Sequence, residues 1–405
     1  MAIPVEKVEV GFDISFSGAA QFFTLDDAVR GELDNTSYPL GGLQFIDVTS
    51  RVRNFAISRG RSSLFTSFPA GQLNVEFNNH DRAFDPLFTS SPYAGNIIPR
   101  REIRITTGDK VQYTGWIDDW NLSYLPNGDS VAEAIAYDAT SILSGQTLDA
   151  STPSEENTGA RISAILDDIN WSADLRNIDT GQATLGTAAI AENTNVMSYL
   201  QTVASSEPGL IFVGKQGRVN FADRLTTPTS ADLVEFGGTA IPFQNLEVVY
   251  GAENLYNQIT VSRINGGTAV ATDAQSISDY GTRNLNQTGL LLNSDTQIAE
   301  LALFLAQRYS QPEYRFKALE VAVHKLSEAE QAEVLDLELG SICKVTFTPN
   351  NIGDPIERFV QVISINHTVN TQTHFIELGF EGLDYAALVL DDAEFGKLDS
   401  YSLSW

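Results

Sequence analysis

The stretch FPAGQLNVEF, residues 68–77, reads as a turn followed by a strand. Pro69 and Gly71 favour the turn, and residues 72–77 alternate apolar and polar side chains. Such alternation indicates a strand with one buried face. The same pattern recurs in VEKVEVGFDISF at 5–16, EIRIT at 102–106, VQYTGWI at 111–117 and VAEAIAY at 131–137. Repeated short strands separated by turns predict a β-sandwich or barrel over residues 1–150.

A mixed helical and strand segment follows a polar linker, DASTPSEEN, at residues 149–157. Apolar residues recur at helical spacing between Arg161 and Ile169, which predicts a helix there. The NTN triplet can cap a second helix, Val196–Ser205, because asparagine side chains accept hydrogen bonds from the first turn. A hairpin is predicted over residues 210–221. We therefore predict a compact α+β insert over residues 151–238.

Strand patterns return after residue 239. They cover parts of 240–275 and then 315–323, 341–348, 359–369 and 373–378, with one helix predicted over 294–310. We divide this part into residues 239–335, which carry the helix, a closing β-hairpin or barrel region at 336–390, and an acidic C-terminal tail at 391–405.

The composition disfavours several functional classes. The chain has 405 residues and a formal net charge of −27 at pH 7, which argues against a general nucleic-acid binder and against attachment to anionic lipid. The single cysteine, Cys343, excludes an intrachain disulfide and cysteine-based metal centres, and is expected to be a small buried apolar residue. No membrane span and no signal peptide are predicted.

No catalytic motif is present: the sequence has no phosphate-binding loop, nucleophile elbow or HExxH zinc motif. His367 and His374 flank a predicted hairpin, with Glu377 three residues further on. In a strand, His374 and Glu377 lie on opposite faces, so we predict no metal site and interpret both histidines as surface residues. The oxygen-rich residues Asn78, Asn79, Asp81 and Asp85 are interpreted as a capped turn.

The aromatic residues around GWIDDW support one alternative function. Trp116 and Trp120 are four residues apart and are predicted to share a face, where they could stack on a sugar with Tyr113 and Tyr124. The adjacent carboxylates of Asp118 and Asp119 point to opposite faces of a strand, so they do not form a glycosidase pair.

One basic segment stands out in this acidic chain: Arg51, Arg53, Arg59 and Arg61 lie within eleven residues that contain no acid. Two interpretations are open. The arginines line a solvated strand edge, or they form a subunit contact, because arginine pairs bidentately with carboxylates across interfaces. Arg100, Arg101 and Arg104 form a smaller basic patch.

Three stretches resemble minor tail or baseplate-hub proteins of long-tailed bacteriophages. The first is Ile46–Pro86, followed by SPYAGN, IIPRREIRI and YTGWIDDW. The second is a Tyr-Gly-x-Arg motif at Tyr280, Gly281 and Arg283, before the predicted helix 294–310. The third is LELGSICKVTFTPNN with the strands that follow it. The resemblance covers nearly the whole chain and is weakest at residues 155–235.

This resemblance implies a mainly β fold: two tail-tube-like β-barrel or sandwich domains, 1–150 and 239–335, with an α+β insert and smaller accessory regions. It implies a structural, non-enzymatic homotrimer without cofactor or metal, assembled in the host cytoplasm and located at the virion tail tip. Its implied partners are the tail tube or distal tail ring, a fibre or tip protein and the tape-measure protein. Genomic DNA would pass through without sequence-specific binding. The alternatives are a distal tail ring protein and a host-surface carbohydrate-binding module.

Two expectations about residues follow. Tyr280, Gly281 and Arg283 are predicted to hold the loop that enters the helix at 294, with Arg283 bonding backbone carbonyls or a neighbouring subunit's acid. If the chain lines a conduit for DNA, acids should outnumber bases on the inner wall, because a basic lumen would bind phosphates tightly. The segment from Arg51 to Arg61 should then face protein.

Overall fold

The computed structural model describes residues 6–12, 44–63, 65–224 and 233–382. The N-terminal part, here the first β-block, contains β1 (Glu6–Phe12), β2 (Gln44–Asp47), β3 (Val52–Gly60), β4 (Gln72–Asn78), β5 (Glu102–Thr107), β6 (Lys110–Tyr124) and β7 (Ser130–Tyr137). Alternate residues of these strands, such as Leu73, Val75 and Phe77, form one buried core. The predicted strand at 5–16 is observed for Glu6–Phe12, and its remaining residues lie outside the described ones.

The insert has its own core. Ala139, Leu143 and Leu148 belong to that core, so the insert is described here as beginning at residue 139. Its elements are α1 (Ala139–Ser144), β8 (Thr147–Leu148), β9 (Glu156–Asn157), α2 (Thr158–Asp168), β10 (Arg176–Ile178), β11 (Thr184–Leu185), β12 (Thr194–Asn195), α3 (Val196–Ser205), β13 (Leu210–Val213) and β14 (Val219–Ala222). The helices begin where the sequence offers caps: the side chains of Asp138, Asn157 and Asn195 accept hydrogen bonds from the first turns of α1, α2 and α3.

The C-terminal part forms two cores. Its elements are β15 (Val234–Phe236), β16 (Asn245–Gly251), β17 (Gln258–Arg263), β18 (Thr268–Thr272), α4 (Ala274–Tyr280), β19 (Asn284–Leu290), α5 (Asp295–Tyr309), β20 (Glu313–Ala322), α6 (Glu328–Asp336), β21 (Ile342–Phe347), β22 (Ile356–Asn370) and β23 (His374–Gly382). α5 packs on the three-stranded sheet β18-β17-β19. The remaining strands and α6 form the second β-block. Residues 239–335 and 336–390, which the sequence pattern separates, both contribute to that core.

The two β-blocks are joined edge to edge in one 13-stranded sheet. Its main path is β16-β20-β23-β22-β3-β4-β7-β6-β5-β1-β2, with β21 and β15 attached at β22. The joint is the antiparallel pair β22–β3, from Ser364↔Gly60 to Asn370↔Asn54. Gly60 has φ +113°, and a Cβ there would lie 2.3 Å from the Ile363 carbonyl oxygen. Any larger residue would therefore force these strands apart.

The predicted fold class is confirmed: the chain is mainly β with an α+β insert. The helix predicted over 294–310 is α5, which Ser294 caps. Cys343 is fully buried, and burial raises the pKa of its thiol well above the usual range. Within the described ranges no helix has the length and apolarity needed to cross a membrane. The domain boundaries stay predictions, and the tail at 391–405 lies outside the described residues.

Candidate functional site

Eight neighbouring strands, β16-β20-β23-β22-β3-β4-β7-β6, carry one continuous polar face, which we call the polar wall. Paired residues on antiparallel strands share a face, so the registers define its members. Its carboxylates are Glu247, Glu320, Glu377, Glu76, Glu133 and Asp119; its amides and hydroxyls include Asn366, Ser58, Asn54, Gln72, Asn74 and Asn121. All of these residues are exposed or half-buried. The opposite face of the same strands forms the two β-block cores.

Hydrogen bonds across strands connect the polar wall. Ser58 Oγ donates to Asn366 Oδ1 at 2.8 Å, across the joint between the blocks, and Asn366 Nδ2 donates to Glu377 Oε1 at 3.4 Å. Further along, Asn54 Nδ2 donates to Glu76 Oε2 at 3.4 Å. Amides thus bond Glu377 and Glu76, whereas Glu320 lies directly opposite Glu377, and Glu76 opposite Glu133, on adjacent strands, which adds like-charge repulsion to this face.

Basic groups are few on this face. Lys317, at a bulge opposite β16, pairs with Glu247 at 3.1 Å. Arg53, at a bulge of β3, lies at the margin of the wall, 3.7 Å from Glu76. Within the described part of the chain, the other wall carboxylates form no ion pair, so the face is acidic.

The basic segment faces protein rather than open solvent. Arg51 Nη1 donates to both carboxylate oxygens of Asp81 at 2.8 Å, and Arg53 Nη2 donates to Asp129 at 2.5 Å. The hydrogen bond from Arg53 holds the pKa of Asp129 below its usual range. Each of these two arginines therefore has a carboxylate within the same chain. Their assignment to a subunit interface stays a prediction.

Arg59 is the centre of a buried network that joins three parts of the chain. Its Nη2 donates to the Val213 carbonyl at 3.1 Å and to Glu338 Oε1 at 2.6 Å. Glu338 Oε2 accepts from the backbone N of Lys215 at 2.8 Å. Lys215 Nζ in turn donates to the last carbonyls of α6, those of Leu335, Asp336 and Leu337, at 2.8, 2.8 and 3.3 Å. The first β-block, the insert and the second β-block therefore meet at one ion pair.

Arg61 is half-buried and packs on an aromatic ring. Its guanidinium carbon is 4.8 Å from the Phe68 ring centroid, and burial lowers the pKa of Arg61 to about 10. The smaller patch is dispersed: Arg100 is 3.8 Å from Asp118, Arg101 bonds Asn96, and Arg104 lies over Phe45.

The Tyr-Gly-x-Arg motif follows α4 and precedes β19, so it enters a strand and not the helix at 294 as predicted. That strand was not predicted, because its sequence, NLNQTGL, contains glycine and asparagine, which are uncommon in strands. Gly281 has φ +75° and ends α4, which explains the glycine. Arg283 Nε donates to the Leu255 carbonyl at 3.2 Å, one of the partner types expected. Tyr280 is 44% exposed.

Asn257, which sequence reasoning missed, holds this motif. It is fully buried. Its Nδ2 donates to Gly281 O at 2.8 Å and to Ser276 Oγ at 3.1 Å, and its Oδ1 accepts from the Arg283 N at 2.8 Å. No local pattern identifies it, because its partners lie 19 to 26 residues away.

We expect Asn257→Ala to lower the free energy of unfolding by about 2–3 kcal/mol, because buried groups on three partners lose their hydrogen bonds. Arg283→Ala is the matched control. It removes one hydrogen bond from an exposed residue, and a loss of about 1 kcal/mol or less is expected. Urea unfolding followed by tryptophan fluorescence measures both. Equal losses, or a larger loss for Arg283→Ala, would contradict the assignment.

The aromatic residues do not form one sugar-binding surface. A bulge between Ile117 and Asp119 shifts the register of β6, so the expectation that Trp116 and Trp120 share a face is wrong. Trp116 packs against the insert core, whereas Trp120 stacks on Phe84 at a ring-centroid distance of 5.7 Å. Tyr113 is buried. The shared aromatic surface that supported the carbohydrate-binding alternative is therefore not present.

The interpretation of His367 and His374 as surface residues is wrong, since both are buried. Among the residues that the structure describes, no group of three or more His, Cys, Asp or Glu side chains could hold a metal ion. The oxygen-rich turn is capped as expected: Asn79 Oδ1 accepts from Phe84 N, and Asp85 Oδ1 accepts from Leu87 N, both at 2.9 Å.

Comparison with known proteins identifies the fold. No protein-family model matches the sequence, and no curated protein is significantly similar to it. The 43 kDa tail protein of prophage MuSo2 from Shewanella oneidensis is similar over 84% of this chain and 96% of its own, with 15% identity and a TM-score of 0.55. A tail protein from Neisseria meningitidis MC58 is similar over 98% of this chain and 99% of its own, with 11% identity and a TM-score of 0.59. The chain therefore has the fold of phage tail proteins, and the resemblance seen in the sequence is confirmed at that level.

Proposed function

We propose that this protein is the structural hub of a phage tail: three copies close a ring at the distal end of the tail tube, and the polar wall lines its lumen. The observation that carries the proposal is the edge-to-edge joint of two β-blocks in a single sheet. One subunit then supplies two neighbouring segments of a tubular sheet, so three subunits supply six. A distal ring protein with one such segment would instead need six copies.

Two open strand edges support the ring. β16 pairs only with β20 among the described strands, so its outer edge is free. At the other end of the run, the pairing of β5 with β6 stops at Trp116, which leaves residues 118–124 of β6 with one partner strand, β7. Open edges in a sheet are templates for pairing with another chain. Because the two edges differ, their pairing is head-to-tail, the type of contact that closes rings.

Disulfide trapping tests this arrangement. Glu247→Cys in β16 combined with Asn121→Cys in β6 should give covalent dimers and trimers on a non-reducing gel, because the two cysteines would lie on adjoining strands of neighbouring subunits. The natural Cys343 is buried and does not compete. Glu300→Cys on the exposed side of α5, combined with Asn121→Cys, is the matched control and should remain a single chain.

Native mass spectrometry of the unmodified protein, alone and with its tail partners, gives the second readout. A ring of three times 44.2 kDa is expected. A hexamer would favour the distal tail ring. A protein that stays monomeric with those partners, with no cross-link between the chosen edges, would refute the hub.

The proposed partners follow from the position of such a ring. The tail tube or distal tail ring contacts one end and the fibre or tip protein the other, in a virion assembled in the host cytoplasm. The tape-measure protein and the genome occupy the lumen. The acidic polar wall would let duplex DNA pass without sequence-specific binding, because Lys317 and Arg53 are paired with carboxylates and compete poorly for phosphates. In this proposal the role is structural, without enzymatic activity or cofactor.

A further inference from the structure

A buried chain of hydrogen bonds connects a carboxylate to two histidines. Glu6 Oε1 lies 2.9 Å from His374 Nδ1, and His374 Nε2 lies 3.0 Å from His367 Nδ1. His374 is 0% and His367 is 3% exposed. The other carboxylate oxygen of Glu6 accepts from Thr107 Oγ1 at 2.6 Å.

The Glu6–His374–His367 chain of hydrogen bonds adds side-chain contacts between the two β-blocks beside the β22–β3 pair, in which His367 lies opposite Ile57. Glu6 begins β1 and Thr107 ends β5, both in the first block. The histidines belong to β22 and β23 in the second block, on either side of their connecting turn. The contact therefore holds the start of β1 against the tip of the β22–β23 hairpin.

The geometry limits how many protons the three hydrogen-bonded residues Glu6, His374 and His367 can carry. Between His374 Nε2 and His367 Nδ1 there is room for one hydrogen, and the other nitrogen of His374 donates to the Glu6 carboxylate. One added proton is compatible with these contacts. A second would make both rings imidazolium, with two N–H groups facing each other and two like charges buried, which breaks the bond.

The surrounding groups oppose protonation at the His367 end. His324 offers no new acceptor, because its Nδ1 already faces the backbone N of His374 at 3.2 Å. The other charged groups that act on His367 are the cations Arg59 and Lys215. Burial first, then His374, Arg59 and Lys215, hold the pKa of His367 well below its usual range. Glu6 is the anion of the chain, and it contacts only His374 among the histidines.

We propose that the Glu6–His374–His367 chain is an acid-sensitive latch that holds β1 on the β22–β23 hairpin at neutral pH and releases it on acidification. The sign follows from the lowered affinity of His367 for protons. In the unfolded polypeptide, His367 binds a proton below a pH of about 6.5, whereas in the folded protein it resists protonation. The stability that is present above that pH is therefore lost as the pH falls. This latch does not depend on the proposed hub function.

The test compares urea unfolding of the wild type, His367→Gln and His80→Gln between pH 7.5 and pH 5.0. Glutamine can still donate to His374 Nε2 but does not titrate. We expect the wild-type folding constant to fall about tenfold more over this range than that of His367→Gln, which corresponds to one unit of pKa. His80 is exposed, lies 3.2 Å from Asp129 and has no contact with the Glu6–His374–His367 chain, so His80→Gln should retain the steeper loss of the wild type. Equal profiles for the wild type and His367→Gln would refute the latch.

Two further measurements on the wild type keep the proposal testable if His367→Gln does not fold. Histidine NMR spectra should show that the His367 ring remains neutral at pH 5.5. Hydrogen exchange corrected for intrinsic rates should accelerate in residues 6–12 before residues 210–213 of β13 as the pH falls. A His367 ring that is already charged at pH 5.5, or exchange that rises equally in both segments, would overturn it.

Discussion

Replacing Arg59 by methionine should lower the free energy of unfolding by about 3 kcal/mol, because breaking a buried ion pair leaves its partner without compensation. Arg59 is 4% exposed, and its contacts to Val213 and Glu338 join three parts of the chain. Methionine replaces the aliphatic stem of arginine but not its guanidinium, so the Val213 carbonyl loses a donor and Glu338 loses its cation. Glu338 keeps its hydrogen bonds from the backbone N of Lys215 and of Leu339. The loss should also appear as earlier proteolysis of the insert, since the Arg59 network anchors it.

The same substitution at Arg51 is the matched control. Arg51→Met removes an ion pair with Asp81, whose side chain is 56% exposed. Exposed pairs contribute about 1 kcal/mol or less. Urea unfolding and limited proteolysis of both variants, with Glu338→Gln and the double variant completing a cycle, measure the coupling. Similar losses for Arg51→Met and Arg59→Met would mean that the Arg59 network does not join the three parts.

Local sequence patterns predicted helices and strands well where buried residues recur at the regular spacing of a helix or a strand. Leu73, Val75 and Phe77 alternate on β4, and this period predicted the strand. The Asn-Thr-Asn triplet that ends at Asn195 predicted the start of α3, and helical spacing predicted α5. Helix α6 was not predicted, although Ser327 and Glu330 form a capping box at its start that is recognisable in the sequence.

The sites could not be predicted in the same way, because their residues meet over long separations. Ser58 and Asn366, which bond across the β22–β3 joint, are 308 residues apart, and Glu6 and His374 are 368 apart. The spacing of apolar residues along the sequence cannot predict which distant residues bond to each other. The bulge in β6 has a similar consequence, since one extra residue sends Trp116 and Trp120 into different cores. The sequence analysis recognised the four arginines as a group, but only the structure shows that Arg59 is buried and Arg61 half-buried.

Reversing the charge of the polar wall should raise the affinity of the protein for duplex DNA. The variant Glu76→Lys/Glu133→Lys/Glu377→Lys places three cations per subunit on the face that the hub proposal assigns to the lumen. In a ring of three copies these lysines would surround a duplex and neutralise phosphates from all sides. We expect affinity for linear duplex DNA at 50 mM salt to rise by about 100-fold or more, and to fall steeply by 200 mM, because binding releases counterions.

A variant of equal net charge separates the lumen from the outer surface. Glu300→Lys/Glu328→Lys/Glu333→Lys changes exposed residues of α5 and α6, none of which belongs to the polar wall. If the wall lines a closed ring, its lysines reach a linear duplex that threads through the ring but not a closed circular plasmid, whereas lysines on the outer surface reach both. Fluorescence anisotropy with a linear duplex, with closed circular plasmid as competitor, measures this difference. Efficient competition by the plasmid against the wall variant, or equal binding by both variants, would show that the wall is an open outer surface and that the acidic face has no role in DNA passage.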